Sequence, residues 1–464
     1  MLRIARLLTA ATAAIIVVGF MPASAGALSS GDWPTYLNNQ GRTSFNSAET
    51  TITVSTAPNL KQLWAASNGG AISAEPVTSN GVLYYGSWDG IEHAVNATTG
   101  APIWTANLGQ NSDSHCRPPT VGIASTATVA SITVNGTPTA TVFVGGGDGN
   151  FYALNASTGA VIWKTSLGTP PAFFLWSSPV LSNGSIYEGL SSFGDCPLIR
   201  GGIVRIDATT GTVQNTLFTV PSGCTGGSVW GSPTVDSATG DVYFATGNVG
   251  SCSSAETLAP AVVQTDRSLN LLSSWQVPSS VQTTDSDFGS TPTLFQATIS
   301  GVLHQMVGVA NKNGIWYAFD RSKISSGPLW SRRASYGGGC PECGRSNISP
   351  SAWDGQHLFV GGEKGNINGV VCLGTIRELN PATGGNVWKD CLTTGPVLGA
   401  VTGVPGVAFV GAGNTAYAVN MSTGATLWTF KDSTSGSNFW GAATISNGIV
   451  YIGNQDGKLY AFST

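Results

Sequence analysis

The chain has 464 residues, of which 41% are hydrophobic and only 9% charged, with 61 glycines, 14 tryptophans and a formal net charge of −4. Few charges and many glycines suit short, buried or half-buried strands joined by tight turns, and oppose a helical bundle. The lack of a basic run leaves no electrostatic footprint for nucleic acid.

Arg3 and Arg6 precede an apolar stretch from Leu7 to Phe20, and Ala23-Ser24-Ala25 supplies small residues for cleavage. This layout reads as an export signal over residues 1–25, followed by one domain over residues 26–464 that is secreted or periplasmic. No later stretch approaches the roughly 18 apolar residues of a membrane helix, so no membrane span is expected once the signal is removed. All eight cysteines lie from Cys116 onward. An even count in an exported chain favours disulfides. Their connectivity does not follow from sequence, but the expected pairs are Cys340 with Cys343, Cys372 with Cys391 across one hairpin, and Cys224 with Cys252. The Cys340-Pro341-Glu342-Cys343 run could instead be half a zinc site or a haem attachment motif. Gly344 stands where haem attachment needs histidine, and no second such motif completes a zinc tetrahedron.

Downstream of the signal one phrase recurs: AVNATTGAPIW ending at Trp104, ALNASTGAVIW at Trp163, ELNPATGGNVW at Trp388 and AVNMSTGATLW at Trp428. It describes a hairpin. Asn or Asp opens a turn, Thr-Gly completes it with glycine's tolerance of positive φ, and the next strand carries tryptophan. Weaker copies fill the gaps, from Asp207 to Asn215, Asp266 to Trp275 and Asp320 to Trp330. Upstream of each hairpin lies an apolar run, a turn and a strand ending in glycines, as in SSPVLSNGSIYEG. Four strands over about 36 to 50 residues make one blade of a β-propeller.

The two ends set the blade count. After Trp428 the chain supplies three strands and no tryptophan strand, whereas Leu60 to Trp64 is a tryptophan strand lacking its three partners. Pairing them removes an exposed sheet edge. Seven internal blades plus this composite give an all-β, eight-bladed propeller.

Asn/Asp, Thr-Gly and Trp at this spacing resemble the repeat of pyrroloquinoline quinone (PQQ) dehydrogenases and their cofactor-free relatives. The leader DWPTYLNNQGRTSFN from Asp32 resembles the segment before that family's first blade. Within the family the resemblance is nearest to the polyvinyl-alcohol dehydrogenase type. It implies that Trp230 stacks on the quinone, Ser228 is a polar cofactor contact and Asn248, 18 residues after Trp230, is a calcium ligand. It places a carboxylate ligand at Asp195 with a one-residue gap before Arg200-Gly201. The catalytic base is Asp287, in Asp287-Phe288-Gly289, with Asp285 as competitor. Gly289 stands where lanthanide-using members carry an acid, so calcium is the implied metal. Lys312 in NKNGIWYAFD stands where the family directs a cation at the quinone oxygens, and Asn347 in GRSNISPSAWDG is a hydrogen-bond donor to it. An aromatic face for the quinone and oxygen donors for calcium suit these residue types.

Each residue also has a plainer reading: Trp230 as a channel plug, Asn248 as a turn cap, Asp195 as a turn former, Lys312 as a solvated turn lysine. The family's adjacent cysteine pair is absent. Cys116 is followed by Arg117, which could pair with a cofactor carboxylate, and Glu75 is displaced by about two positions from the expected first-blade glutamate. The resemblance implies oxidation of an alcohol, with polymeric alcohols among the candidates, and electrons leaving to a separate acceptor such as a cytochrome c, because the haem domain typical of this branch is missing. The alternative is a non-catalytic propeller that binds a protein or a cell-wall glycan.

Overall fold

A computed structural model describes residues 31–434 and 436–464. The expected export signal lies outside the described residues. Eight antiparallel four-stranded units follow one another at 77–107, 128–166, 180–218, 234–276, 293–333, 352–392, 402–431 and 444–463, the last completed by Lys61–Ser67. They are blades 1 to 8. Blade 3 carries one extra short strand, Phe173–Phe174.

The middle strands of a blade are covered on both faces by neighbouring blades and read as continuous apolar runs. Val407–Ala412 is buried throughout its length, and Thr415–Asn420 throughout except at its last residue. Outer strands such as Val161–Ser166 alternate between exposed and half-buried positions. Closure is as expected. Lys61–Ser67 runs antiparallel to Lys458–Ser463 with Trp64 opposite Ala461, so the final blade is sewn from both ends of the described chain.

The recurring phrase links one blade to the next. In blade 1, Asn96 Oδ1 accepts the N–H groups of Thr98 and Thr99 at 3.0 and 2.9 Å, and Gly100 follows at φ +70°. The Trp64 ring lies on that glycine, where a Cβ would stand 2.8 Å from the indole, and Trp64 Nε1 donates to Ala97 O. Trp104 sits likewise on Gly159 and donates to Ala156 O, Trp163 on Gly211 and Ala208 O, Trp330 on Gly384 and Pro381 O, and Trp388 on Gly424 and Met421 O. At the seam Trp428 Nε1 donates to Leu60 O at 2.9 Å. Asn215, which replaces the tryptophan of blade 3, keeps the donor role by bonding Ser268 O.

The leader forms a strap across one end of the channel. Backbone carbonyls of Trp33, Pro34, Gln40, Gly41, Thr43 and Ser44 accept N–H groups from Thr78, Val129, Val235, Leu294, Trp353 and Gly403, in or beside the innermost strands of blades 1, 2, 4, 5, 6 and 7. Arg42, fully buried, donates to Pro179 O beside blade 3, and Ser446 of blade 8 donates to Gly31 O. Glu75 accepts Leu37 N–H at 2.7 Å and so holds the strap.

The three expected cysteine pairs are formed, and the fourth disulfide joins Cys116 to Cys196. Two substitutions test the inter-blade contact by guanidinium unfolding. Trp104→Ala should cost about 3–5 kcal/mol, the usual range for an aromatic removed from a packed site. Gly159→Ala should cost at least about 1–2 kcal/mol from its φ of +71°, plus the clash with the indole.

Candidate functional site

The strap and the Asn-Thr-Gly turns occupy one end of the propeller. At the other end, chain segments enter the innermost strands and second strands turn into third strands. Asp285 to Gly289 lead into blade 5, Lys312 lies in the turn between Val302–Ala310 and Ile315–Asp320, and Trp230 stands four residues before Thr234–Val235. Asn248 follows the second strand of blade 4, Val242–Ala245. Loops of two adjacent blades thus meet at one place.

Asp287 is their meeting point. Its Oδ1 accepts Asn248 N–H at 2.5 Å, and its Oδ2 accepts Trp230 Nε1–H at 3.2 Å and Lys312 Nζ–H at 3.0 Å. The approach is tight at Gly247, where a Cβ would stand 3.1 Å from Asp287 Oδ1. Phe288, with no exposed surface, anchors the loop beneath, and Lys312 N–H donates to Asp287 O. Lys312 Nζ also bonds Asp285 Oδ2 at 2.8 Å and lies 5.1 Å from the centre of the Trp230 ring.

The electrostatics follow from crowding. Burial opposes the charge on Lys312, but the carboxylates of Asp287 and Asp285 outweigh it and hold its pKa above the ordinary lysine value. Burial and then the Asp287 charge push Asp285 up to about 6, against the pull of Lys312. Asp195 stands exposed in the crowded mouth of the channel. The protein mass around it and the nearby Asp287 raise its pKa, and Lys312 lowers it in part. Its loop is held by the Cys116–Cys196 bridge.

Asp287, Lys312, Trp230 and Asn248 therefore converge, with Asp195 within electrostatic reach. Asn347 is fully buried next to Ile348, which packs toward Gly289, and neither atom of its amide has a partner. Ser228 is engaged with Ser192, whose N–H it accepts at 3.1 Å. Arg117 is not drawn in: it is exposed and donates to the carbonyls of Ser114 and Cys116 in its own loop.

Two features escaped the sequence reading. Trp176 and Trp440 stand four residues before Val180–Ser182 and Thr444–Ser446, the same repeat position as Trp230, and all three are half-buried. The signal was present in the phrases WSSP, WGSP and WGAA, which put Trp230 at a recurring position of the repeat. Glu363, just beyond the second strand of blade 6, is fully buried with both oxygens unpartnered. Burial pushes it up to about 9, partly offset by the nearby Ile348 N–H and, more weakly, Lys312. No local pattern marked it.

These groups suit a planar, oxygen-rich ligand. An accessible indole offers a face, Lys312 and the free amide of Asn347 offer donors, and the Asn248 side chain has no hydrogen-bond partner among the described residues. For a hard cation, the oxygens of Asn248, Asp195 and Asp287 are the right type. Among the described residues, the group of three acidic or sulfur ligands close enough to share a metal is Cys340, Glu342 and Cys343, and its two sulfurs are bonded to each other.

The model of a family described as outer membrane protein assembly factor BamB matches residues 48–326 and 311–464. A polyvinylalcohol dehydrogenase of Pseudomonas sp is 26% identical over 86% of this chain and 70% of its own length. Another from Sphingopyxis sp. (strain 113P3) is 24% identical over 89% of this chain and 62% of its own. The solved structure of quinohemoprotein alcohol dehydrogenase from Comamonas testosteroni superposes with a TM-score of 0.71 at 17% identity, covering 93% of this chain and 80% of that one. This last is a likeness of fold.

Glu363 sets a pH prediction. Its native pKa lies above its unfolded value, so the native state holds an extra proton between the two. The stability this contributes is fully present below about 4.5 and is lost as pH rises toward about 9. Glu363→Gln should flatten the fall in unfolding free energy across that window, and an unchanged slope would contradict the buried neutral acid.

Proposed function

Because the chain belongs to the family described as outer membrane protein assembly factor BamB and has dehydrogenases among its relatives, we propose that it is an exported PQQ-dependent dehydrogenase that oxidises an alcohol, with polymeric alcohols among its candidate substrates. The observation that carries this reading is the convergence of Asp287, Lys312, Trp230 and Asn248 on one end of the channel.

In this reading Trp230 supplies the stacking face for PQQ, Lys312 and Asn347 its donors, and Ser228 a polar contact; Asn248 and Asp195 hold calcium. Arg117, turned toward its own loop, would have to leave the Ser114 and Cys116 carbonyls to reach a cofactor carboxylate. When bound, the quinone supplies a hydride acceptor and calcium polarises oxygen. The chain's own residues do the rest. Asp287 takes the hydroxyl proton on a carboxylate oxygen, as a general base must lie within hydrogen-bond reach of the proton it removes. Trp230 Nε1–H and Asn248 N–H fix the plane of that carboxylate, and the Lys312 ammonium sets a positive charge beside negative charge that develops during oxidation. Electrons leave to a separate acceptor such as a cytochrome c.

The second reading, a propeller that binds a protein or glycan without catalysis, draws on the assembly-factor description of the family. One set of measurements separates them. Tryptophan fluorescence should show saturable PQQ binding in the presence of calcium, with dye-linked oxidation of a secondary alcohol. Asp287→Asn should lower kcat by about 10²- to 10⁴-fold, the usual contribution of a positioned base, while PQQ still binds. Neither binding nor oxidation by the wild type would leave the scaffold reading standing.

A further inference from the structure

The Cys340–Cys343 bridge differs from the other three disulfides in two respects. Its cysteines are three positions apart, against 80, 28 and 19 for the others. A bridge that encloses two residues removes little freedom from the unfolded chain, so it adds little to the stability of the fold. The other three each have one cysteine buried, Cys116 and Cys224 at 4% and Cys372 at 1% exposure. Here Cys343 is exposed and Cys340 half-exposed, with the exposed Glu342 between them. Solvent access to both halves is what thiol–disulfide exchange requires.

The bridge also stands against the site described above. Gly338 N–H donates to Lys312 O at 3.0 Å, and a Cβ on Gly339 would lie 3.1 Å from Asp285 Cβ. Cys340 and Arg345 exchange both backbone hydrogen bonds, at 3.2 and 3.0 Å, and Lys364 N–H donates to Gly344 O at 3.1 Å. The disulfide therefore closes a small hairpin held between the Lys312 turn and Glu363-Lys364, and the chain leaves it directly into Ser346-Asn347. Opening the bridge loosens a segment that touches both Asp285 and Lys312.

We infer that Cys340–Cys343 is a thiol–disulfide exchange site for a dithiol, and that its redox state sets the order of the two segments that carry Asp285 with Asp287 and Lys312. One thiolate of the dithiol attacks the exposed Cys343 Sγ, the Sγ–Sγ bond breaks and Cys340 leaves as a thiolate. The second thiol of the reductant then attacks its own sulfur in the mixed disulfide and releases Cys343. Two electrons pass to the cysteine pair, the dithiol becomes a disulfide, and its two protons end on Cys340 and Cys343. The exchange chemistry stands apart from the proposed function; its effect on cofactor binding rests on that reading.

The test uses the folded full chain with dithiothreitol as the probe, followed by iodoacetamide and peptide mapping. Cys340 and Cys343 should be alkylated at reductant concentrations that leave the other six cysteines paired. Hydrogen–deuterium exchange should then quicken by about tenfold or more at residues 285–289 and 312–313, and the double variant Cys340→Ser/Cys343→Ser should reproduce this while melting with the wild type. Simultaneous reduction of all four bridges, earlier reduction of another, or unchanged amide exchange would overturn the inference. PQQ titration of the oxidised and reduced chain is a separate arm. Failure of the oxidised wild type to bind PQQ counts against the proposed function alone, whereas binding that ignores reduction counts against the coupling.

Discussion

Each blade is a twisted sheet with two apolar faces, and neither face is covered until another blade lies on it. At five junctions the contact that seats a blade on its neighbour is an indole laid on the glycine of a turn one blade further on. Glycine is required there twice over, once because the turn passes through positive φ and again because any side chain would enter the ring. The indole N–H adds a direction, since it ends on a carbonyl of the same turn. Where the tryptophan is lost, in blade 3, Asn215 preserves the hydrogen bond without the area. The pairing of Lys61–Ser67 with the last strand lets this series close on itself, and no blade is left with a bare face.

This arrangement divides the two ends of the molecule. The turns that carry the inter-blade contacts must repeat, so one end is regular, and the leader can follow it around the ring with one backbone carbonyl after another. The loops at the other end join blade to blade and carry no such constraint, so they are free to differ. The charged cluster is found there.

In a chain with so few charges, Asp195, Asp285, Asp287, Lys312 and Glu363 at one mouth are a costly concentration. Removing two carboxylates and one ammonium from water is offset only where the ions pair and every remaining lone pair finds a donor. Asp287 meets that condition through an indole and a backbone amide, whereas Asp285 keeps one oxygen buried and unpartnered. Glu363 and Asn347 add four more polar atoms without partners. Such groups weaken a fold unless something pairs with them, and here they supply the donors and acceptors on which the proposed site rests.

Blade number and the seam at Trp64 could be read from the sequence, because each rests on short-range spacing: a turn and its tryptophan lie eight residues apart, and the twice-used final blade is visible as two incomplete repeats. The order of Trp230, Asn248, Asp287 and Lys312 along successive blades was readable through resemblance for the same reason. Only the tertiary structure decided which of these side chains touch. Lys312 bridges Asp285 and Asp287 and Glu363 lies buried without a partner, because these outcomes depend on how separate loops are brought together when one blade packs on the next, whereas Arg117 turns back on its own loop.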